Sequence, residues 1–240
     1  MSVYDLKTLQ ELDKSDPLRA YRDEFELAEG LIYLDGNSLG PLPKKAKKRV
    51  QDAVEIEWGQ DLITSWNKHG WMHKPQKLGD MIANIVGADA GSVKVGDSTS
   101  VNVFKVLAAA IQLAPSGRTK ILSDTANFPT DLYMAQGLQE LLGRDNCELV
   151  IVDETEVEDH IDDQTAIIML THVNFRSGRM YDMKKMTQLA HEKGALMMWD
   201  LAHSAGAVPV NLKEANTDFA VGCGYKYLNG GPGAPAFVYV

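Results

Sequence analysis

The sequence predicts an α/β fold, with three αβα layers built on a mainly parallel sheet. Three observations carry that expectation. Short apolar runs alternate with helical periodicity from residue 93 to the end of the 240-residue chain. Two of those runs, residues 195–199 and 219–223, are apolar throughout, as strands buried on both faces are. Each run then stops on polar residues, Asp200 after the first and Tyr225-Lys226 shortly after the second. Ligands of open α/β sheets bind at the carboxyl edge of the strands, so an acid and a lysine would face one crevice.

In chain order, residues 1–28 are polar, with apolar positions at Leu6, Leu9, Leu12, Leu18, Tyr21 and Phe25 that predict short helices packed on something else. Residues 30–35 read as a short strand. It runs into residues 36–43, where two glycines and two prolines mark an ordered turn. Asn37 and Ser38 are there either as turn formers that bond their own backbone or as part of a loop edging a ligand site. Ala46, Val50, Ala53, Val54 and Trp58 give residues 44–58 the spacing of an amphipathic helix, its opening lysines a solvated face.

His69 and His73 stand four apart, a spacing zinc can use. Gly70 lies between them, Pro75 follows closely and no third ligand is evident, so no metal is expected. Trp66 and Trp71, among polar residues, suit a pocket wall or a subunit contact. A helix over 78–86 closes at Gly87. After a strand at 93, Ser98, Thr99 and Ser100 occupy a turn leading into a helix over 103–113. N–H groups at a helix start, with hydroxyls beside them, hold phosphate well; an ordinary N-cap is an equal reading. The glycine spacing and lysine of a P-loop are missing. Gly222 and Gly224 fail as a dinucleotide fingerprint, because Tyr227 takes the third glycine's place.

Residues 120–123 read as a strand, followed by Asn127-Phe128-Pro129-Thr130-Asp131 and a helix over 132–142. An aromatic at a strand's end suits stacking on a planar ligand, while Asp131 also fits as a first-turn acid. A strand at 148–152, an acidic surface helix at 154–163 and a strand at 165–170 ending on Thr171 come next. A helix over 182–193 then ends at Gly194. Polar clusters thus follow four strands in turn, and Lys226 follows the next. That convergence is a site layout rather than core packing.

The totals exclude several classes. A net charge of −9 argues against nucleic acid or an anionic membrane as the main partner. No apolar run approaches a membrane span, and the opening Met-Ser-Val-Tyr-Asp-Leu-Lys lacks the apolar core of a signal peptide. Cys147 and Cys223 alone make no disulfide framework. A soluble cytoplasmic protein is expected, and a hydrophobic fraction of 45% is enough for a sizeable core.

A lysine and an acid at neighbouring strand ends have a chemical use. Pyridoxal 5′-phosphate (PLP) needs a lysine for its Schiff base and an anion beside its pyridine nitrogen. Lys226 and Asp200 would be those two. Taken singly, each reads better as a surface lysine or an aspartate capping a following helix, and their joint context reverses that preference.

At these motifs the chain resembles the kynureninase family, within the fold type I (aspartate-aminotransferase-like) PLP enzymes. The matching stretches are residues 33–40 (Tyr-Leu-Asp-Gly-Asn-Ser-Leu-Gly), 98–102, 128–131 (Phe-Pro-Thr-Asp), 200–203 (Asp-Leu-Ala-His) and 225–231 (Tyr-Lys-Tyr-Leu-Asn-Gly-Gly). The resemblance implies a homodimeric hydrolase acting on a carbon–carbon bond. It would cleave the amino acid L-kynurenine, or 3-hydroxykynurenine, to L-alanine and an anthranilate, in tryptophan degradation or NAD synthesis.

It also implies roles. Lys226 would carry PLP and Asp200 would pair with its ring nitrogen. Thr99, Ser100 and Tyr225 would bind the phosphate, Tyr225 also helping proton transfer. Phe128 would stack on the ring, in a 128–131 segment that places Pro129 and Thr130 at the cofactor and Asp131 near its hydroxyl. Thr171 and His203 would line it, with Asn37, Ser38 and His69 on the substrate side. Residues 1–43 would be an N-terminal arm and loop, and 44–240 the PLP-binding large domain. Such enzymes continue into a small carboxyl-terminal domain, expected here to be absent, together with the family's carboxylate-binding arginine. A cysteine desulfurase-like enzyme on the same fold, or a non-catalytic module of that fold, are the competing expectations.

Overall fold

The structure is a computed structural model that describes residues 5–240; the first four, part of the opening that lacks a signal peptide's apolar core, lie outside the described residues. Helix α1 (Leu6–Ser15) starts where the Asp5 carboxylate accepts the Thr8 N–H at 2.8 Å, and a 3-10 turn (Arg19–Glu24) follows. The short helices are present, but Leu6, Leu9, Leu12, Leu18 and Tyr21 all stay exposed, so nothing among the described residues covers them.

The strand expected at residues 30–35 is not formed. Ile32 and Leu34 are 82% and 87% exposed, and no neighbouring strand offers that stretch a ladder. Pairing falls instead to β1 (Phe25–Glu26) and β2 (Leu42–Pro43), two antiparallel residues on either side of it. Helix α2 (Lys44–Asp52) runs on through one π-helical stretch (Ala53–Trp58). A short α3 (Ser65–Lys68) precedes α4 (Lys74–Val86), which has Pro75 in its first turn and Gly87 at φ 63° as its cap.

The rest alternates as expected: β3 (Val93–Val95), α5 (Thr99–Leu113), β4 (Lys120–Asp124), α6 (Pro129–Leu142), β5 (Glu148–Val152), β6 (Thr165–Thr171), α7 (Met183–Glu192), β7 (Leu196–Asp200), β8 (Phe219–Gly222) and β9 (Phe237–Tyr239). The acidic stretch 154–163 forms only a 3-10 turn, Glu158–His160, in place of the expected helix. Its flanking acids bond locally and compete with a helix. Asp153 accepts the Thr155 N–H, and Asp162 accepts the Gln164 N–H and the Thr165 hydroxyl. No helix follows β7 either, so Asp200 is not the cap of one.

The main sheet has the order β3-β9-β8-β7-β6-β4-β5. β9 pairs antiparallel with both its neighbours, and every other pairing between adjacent strands is parallel. Six strands therefore run one way and bring their carboxyl ends to one edge. Successive residues alternate between two cores. Ile168, Leu170, Met197 and Trp199 pack on the side of α4 and α7, while Ile167, Met169 and Met198 pack on the side of α5 and α6. The three layers are thus αβα. Among the described residues no helix is long and apolar enough to cross a membrane.

Candidate active site

The carboxyl edge gathers the polar groups because each strand ends where its apolar run ends. Asp200 closes β7 and is 2% exposed; its Oδ1 accepts the Ala202 N–H at 2.9 Å. Thr171 closes β6 beside it, paired with Asp200 across the parallel register. Lys226 follows β8 by four residues and is 7% exposed. Its Nζ donates to His203 Nε2 at 2.9 Å and lies 5.5 Å from the centre of the Phe128 ring and 5.7 Å from that of Tyr225. Asp131, in the first turn of α6, is 1% exposed, and its Oδ2 has no hydrogen-bond partner.

Electrostatics follow from that burial. Burial pushes the Asp131 carboxyl well up, the nearby Asp200 charge adds to the rise, and Lys226 opposes it. Asp200 is also raised by burial, against the Ala202 N–H, the Lys226 charge and the Thr171 hydroxyl. Burial and then Lys226 push His203 down to about 4, with a small upward pull from the Asn37 backbone. The imidazole is therefore neutral at pH 7 and offers Nε2 as a lone pair to the lysine. Burial first, then neighbouring negative charge, raises Tyr225.

Lys226, Asp200, Asp131, His203, Phe128 and Tyr225 are thus one cluster, with Thr171 bordering it and Asn37 close to His203. Pro129 and Thr130 form the first turn of α6 next to Phe128, half-buried. Thr99 and Ser100 open α5, four residues nearer the chain start than the periodicity indicated, with Ser98 as the cap accepting the Val101 N–H at 3.3 Å. Because β3 runs in the same direction as β8, that helix start lies on the same edge. Ser38 is exposed and donates to the Asp35 carboxylate at 2.8 Å, a side-chain bond within its own turn.

The turn does reach the site. The Gly40 N–H donates to the Tyr225 carbonyl at 2.9 Å, and a Cβ there would lie 2.2 Å from the Lys226 carbonyl oxygen. His69 is not brought to the crevice. It joins an ionic cluster in which its Nε2 lies 2.6 Å from Asp61, and Glu57 accepts from Trp71 at 2.6 Å and from Lys74 at 2.8 Å. Among the described residues no group of three His, Cys, Asp or Glu could hold a metal ion.

Two residues escaped the sequence reading. Phe175 stands edge-on to Phe128 at 5.2 Å and stacks on His203 at 6.3 Å, closing the aromatic wall near Lys226. Its only signal was its place in the loop after β6. Asn127, buried behind Phe128, carried none beyond its neighbours.

The donor set fits PLP. Asp131 Oδ2 and His203 Nδ1 are buried without partners, the first N–H groups of α5 have none within the helix, and a buried lysine faces an aromatic ring and two carboxyls.

The chain is 52% identical to a kynureninase of Burkholderia pseudomallei over 98% of its own length and 58% of that relative's. It is 50% identical to a kynureninase of Pseudomonas fluorescens, over 95% of this chain and 56% of that one. The chain thus spans under three-fifths of the curated relatives it matches. In fold it is similar to an apo cysteine desulfurase from Thermococcus onnurineus, with a TM-score of 0.74, 20% identity, and 91% and 56% of the two chains covered. It is also similar to a C-DES mutant with glycine covalently linked to its PLP cofactor, with a TM-score of 0.75, 18% identity, and 91% and 59% covered. The family model for class-V aminotransferases matches residues 99–238, which hold β4 to β9 and both ends of the Asp200–Lys226 pair; the chain belongs to that family.

Proposed function

We propose that this chain carries the cofactor and lysine of a PLP-dependent hydrolase that cleaves L-kynurenine, or its 3-hydroxy form, to an anthranilate and L-alanine, in tryptophan degradation or NAD synthesis. The observation that carries the reading is Lys226 Nζ, buried against His203 and the Phe128 ring and facing the carboxyls of Asp200 and Asp131. The identity of half its residues to kynureninases supports the choice of substrate.

When bound, PLP supplies an electron sink for the pair left behind as the substrate's α-proton departs. A water adds to the substrate's γ-carbonyl and leaves in the anthranilate carboxyl as the Cβ–Cγ bond breaks, and the chain's own groups would handle the protons and hold the cofactor. Lys226 Nζ takes that proton and returns one when alanine forms. Asp200, its charge sustained by the Ala202 N–H, holds a proton on the ring nitrogen. Phe128 would cover one ring face, with Pro129 and Thr130 fixing the turn behind it, and Asp131 would meet the ring hydroxyl. The α5 start, with the Thr99 and Ser100 hydroxyls and that of Tyr225, holds the phosphate. Thr171 and His203 line the ring, and Asn37 and Ser38 edge the substrate side.

Residues 1–43 serve as an arm and 44–240 as the cofactor domain of a cytoplasmic homodimer; the exposed Leu6, Ile32, Leu34 and Trp58 give the arm and α2 side apolar surface to bury in a partner. A desulfurase reading has no support from the cysteines. Cys223 and Cys147 are 4% and 0% exposed, and burial raises both thiols, whereas that chemistry needs an accessible thiolate.

The test is borohydride reduction of the protein with PLP, peptide mapping of the added mass, and anthranilate fluorescence with kynurenine. Mass on Lys226, lost in Lys226→Ala together with anthranilate formation, is the expected result. No mass on Lys226 in the unsubstituted protein would sink the reading.

A further inference from the structure

Asn127 stands behind the site and bonds two of the groups to which a role has been given, Phe128 and Thr171. Its side chain is 3% exposed and uses all of its hydrogen-bonding capacity. Nδ2 donates to Ser123 Oγ at 2.9 Å and to the Met169 carbonyl at 3.2 Å. Oδ1 accepts the Phe128 N–H at 2.7 Å and the Thr171 hydroxyl. The donor half therefore grips the ends of β4 and β6, and the acceptor half holds two groups of the crevice.

We infer that Asn127 is a positioning residue, whose amide aims the Phe128 ring at Lys226 and, by taking the Thr171 proton, turns the lone pairs of that hydroxyl toward the crevice. Phe128 needs such a device. It is the N-cap of α6, with φ −65° and ψ 130°, and has no side chain able to cap the helix. Pro129 after it restricts Phe128 to extended backbone but does not choose one direction for its ring. The bond from its own N–H to the preceding side chain fixes that turn, and the ring then lies 5.5 Å from Lys226 Nζ. Thr171 is held likewise, since an Asn127 oxygen that takes its proton fixes which way its lone pairs face. An aspartate would keep the two acceptors and lose both grips; a leucine of similar volume would lose all four bonds.

The site's purpose rests on the proposed PLP reading, but the positioning does not, and the test is made without cofactor. Reductive methylation of Lys226 with formaldehyde and borohydride, followed by mass spectrometry, reads how well the Phe128 ring and its neighbours cover the amine. Asn127→Ser removes the whole amide, its acceptor bonds together with its donor grips. Ser123→Ala takes one partner from the donor half alone, and serves as the control for loss of stability.

Lys226 is expected to react about five- to tenfold faster in Asn127→Ser, the scale of one lost hydrogen bond, and within about twofold of the parent in Ser123→Ala. Equal acceleration in both variants, or in neither, overturns the inference and leaves Asn127 a structural residue. A measurement on the unsubstituted protein stands beside this if Asn127→Ser does not fold. The Phe128 amide should exchange with solvent about a hundredfold more slowly than an uncapped helix-start amide, and exchange at the open rate overturns the inference. If PLP adds no mass to Lys226, the proposed function fails while both of these outcomes still decide the role of Asn127.

Discussion

Gly40→Ala tests whether the turn at residues 36–43 is part of the lysine's support. The glycine's φ is not in the left-handed region, so alanine meets no backbone strain there and the effect is one of crowding. Its Cβ would lie 2.2 Å from the Lys226 carbonyl oxygen, 2.3 Å from Asn229 Oδ1 and 3.0 Å from Asn229 Cα. Two of these three atoms are backbone, so a rotamer change cannot relieve the clash, and the turn must withdraw by roughly 1 Å to restore ordinary contact. Withdrawal stretches the 2.9 Å bond from Gly40 N–H to the Tyr225 carbonyl. Overpacking costs about 1–3 kcal/mol and the hydrogen bond about 1, so a loss of about 2–4 kcal/mol is expected.

Urea unfolding measures that loss, and methylation of Lys226 should quicken as the turn lifts. Gly137→Ala is the control. It sits in α6 with nothing within 4 Å of its Cβ, and should gain about 0.5–1 kcal/mol from helix propensity. A Gly40→Ala protein that unfolds at the parent's urea concentration, with Lys226 labelled at the parent's rate, would refute the coupling.

The other expectations concern buried polar groups. His172 and His203 both titrate near 4 in the folded chain because burial disfavours their charge, while the unfolded chain protonates them near 6.5. The unfolded state thus gains protons first as pH falls, and each imidazole should cost about 2 kcal/mol of stability between pH 7 and pH 5, levelling off below about 4. His203→Gln should flatten its share of that slope in urea titrations, and an unchanged slope counts against the assignment. Asp131→Asn should raise the urea midpoint of the cofactor-free protein by relieving a buried carboxyl beside Asp200, while weakening PLP binding; a lower midpoint would contradict the placement. Thr187→Val should cost about 1–3 kcal/mol, because the buried Trp199 Nε1–H donates to its hydroxyl at 3.1 Å and would be left without an acceptor. Calorimetry showing no loss would overturn that.

What the sequence revealed divides along a physical line. Strands buried on both faces announce themselves by composition, because a polar residue inside them needs a partner of its own, and β7 and β8 end within a residue of where their apolar runs stop. The same rule exposed the site, since the first polar residue past such a run must lie at the sheet's edge. Asp200 and Thr171 were legible for that reason. Residues 30–35 read as a strand and form none, because a short apolar run looks like one whether or not a partner exists, and pairing is a property of the whole sheet. The stretch 154–163 was misread because Asp153 and Asp162 bond to backbone and hydroxyl groups a few residues on, a competition that helical periodicity does not register. Asn127 and Phe175 act through partners 40 or more residues away in sequence or through ring packing, and nothing local records either.

The crevice is also a place where this chain gives up stability. Asp131 Oδ2 and His203 Nδ1 are buried there without partners, and Asp131 and Asp200 crowd two carboxyls around one lysine. Buried groups of that kind cost free energy wherever they are left incomplete, and folding alone gives no reason to keep two of them beside one lysine. A ligand that brings a ring hydroxyl, a ring N–H and a phosphate would complete several of them at once. The energy the fold loses there is then recovered on binding, and stability should rise with free PLP by about 2.7 kcal/mol at a hundred times the dissociation constant. That linkage makes the polar edge intelligible as a site. The apolar strands beneath it supply the stability that lets the edge stay unsatisfied, and the hydrogen bonds of Asn127 and Gly40 hold its groups in place until a ligand arrives.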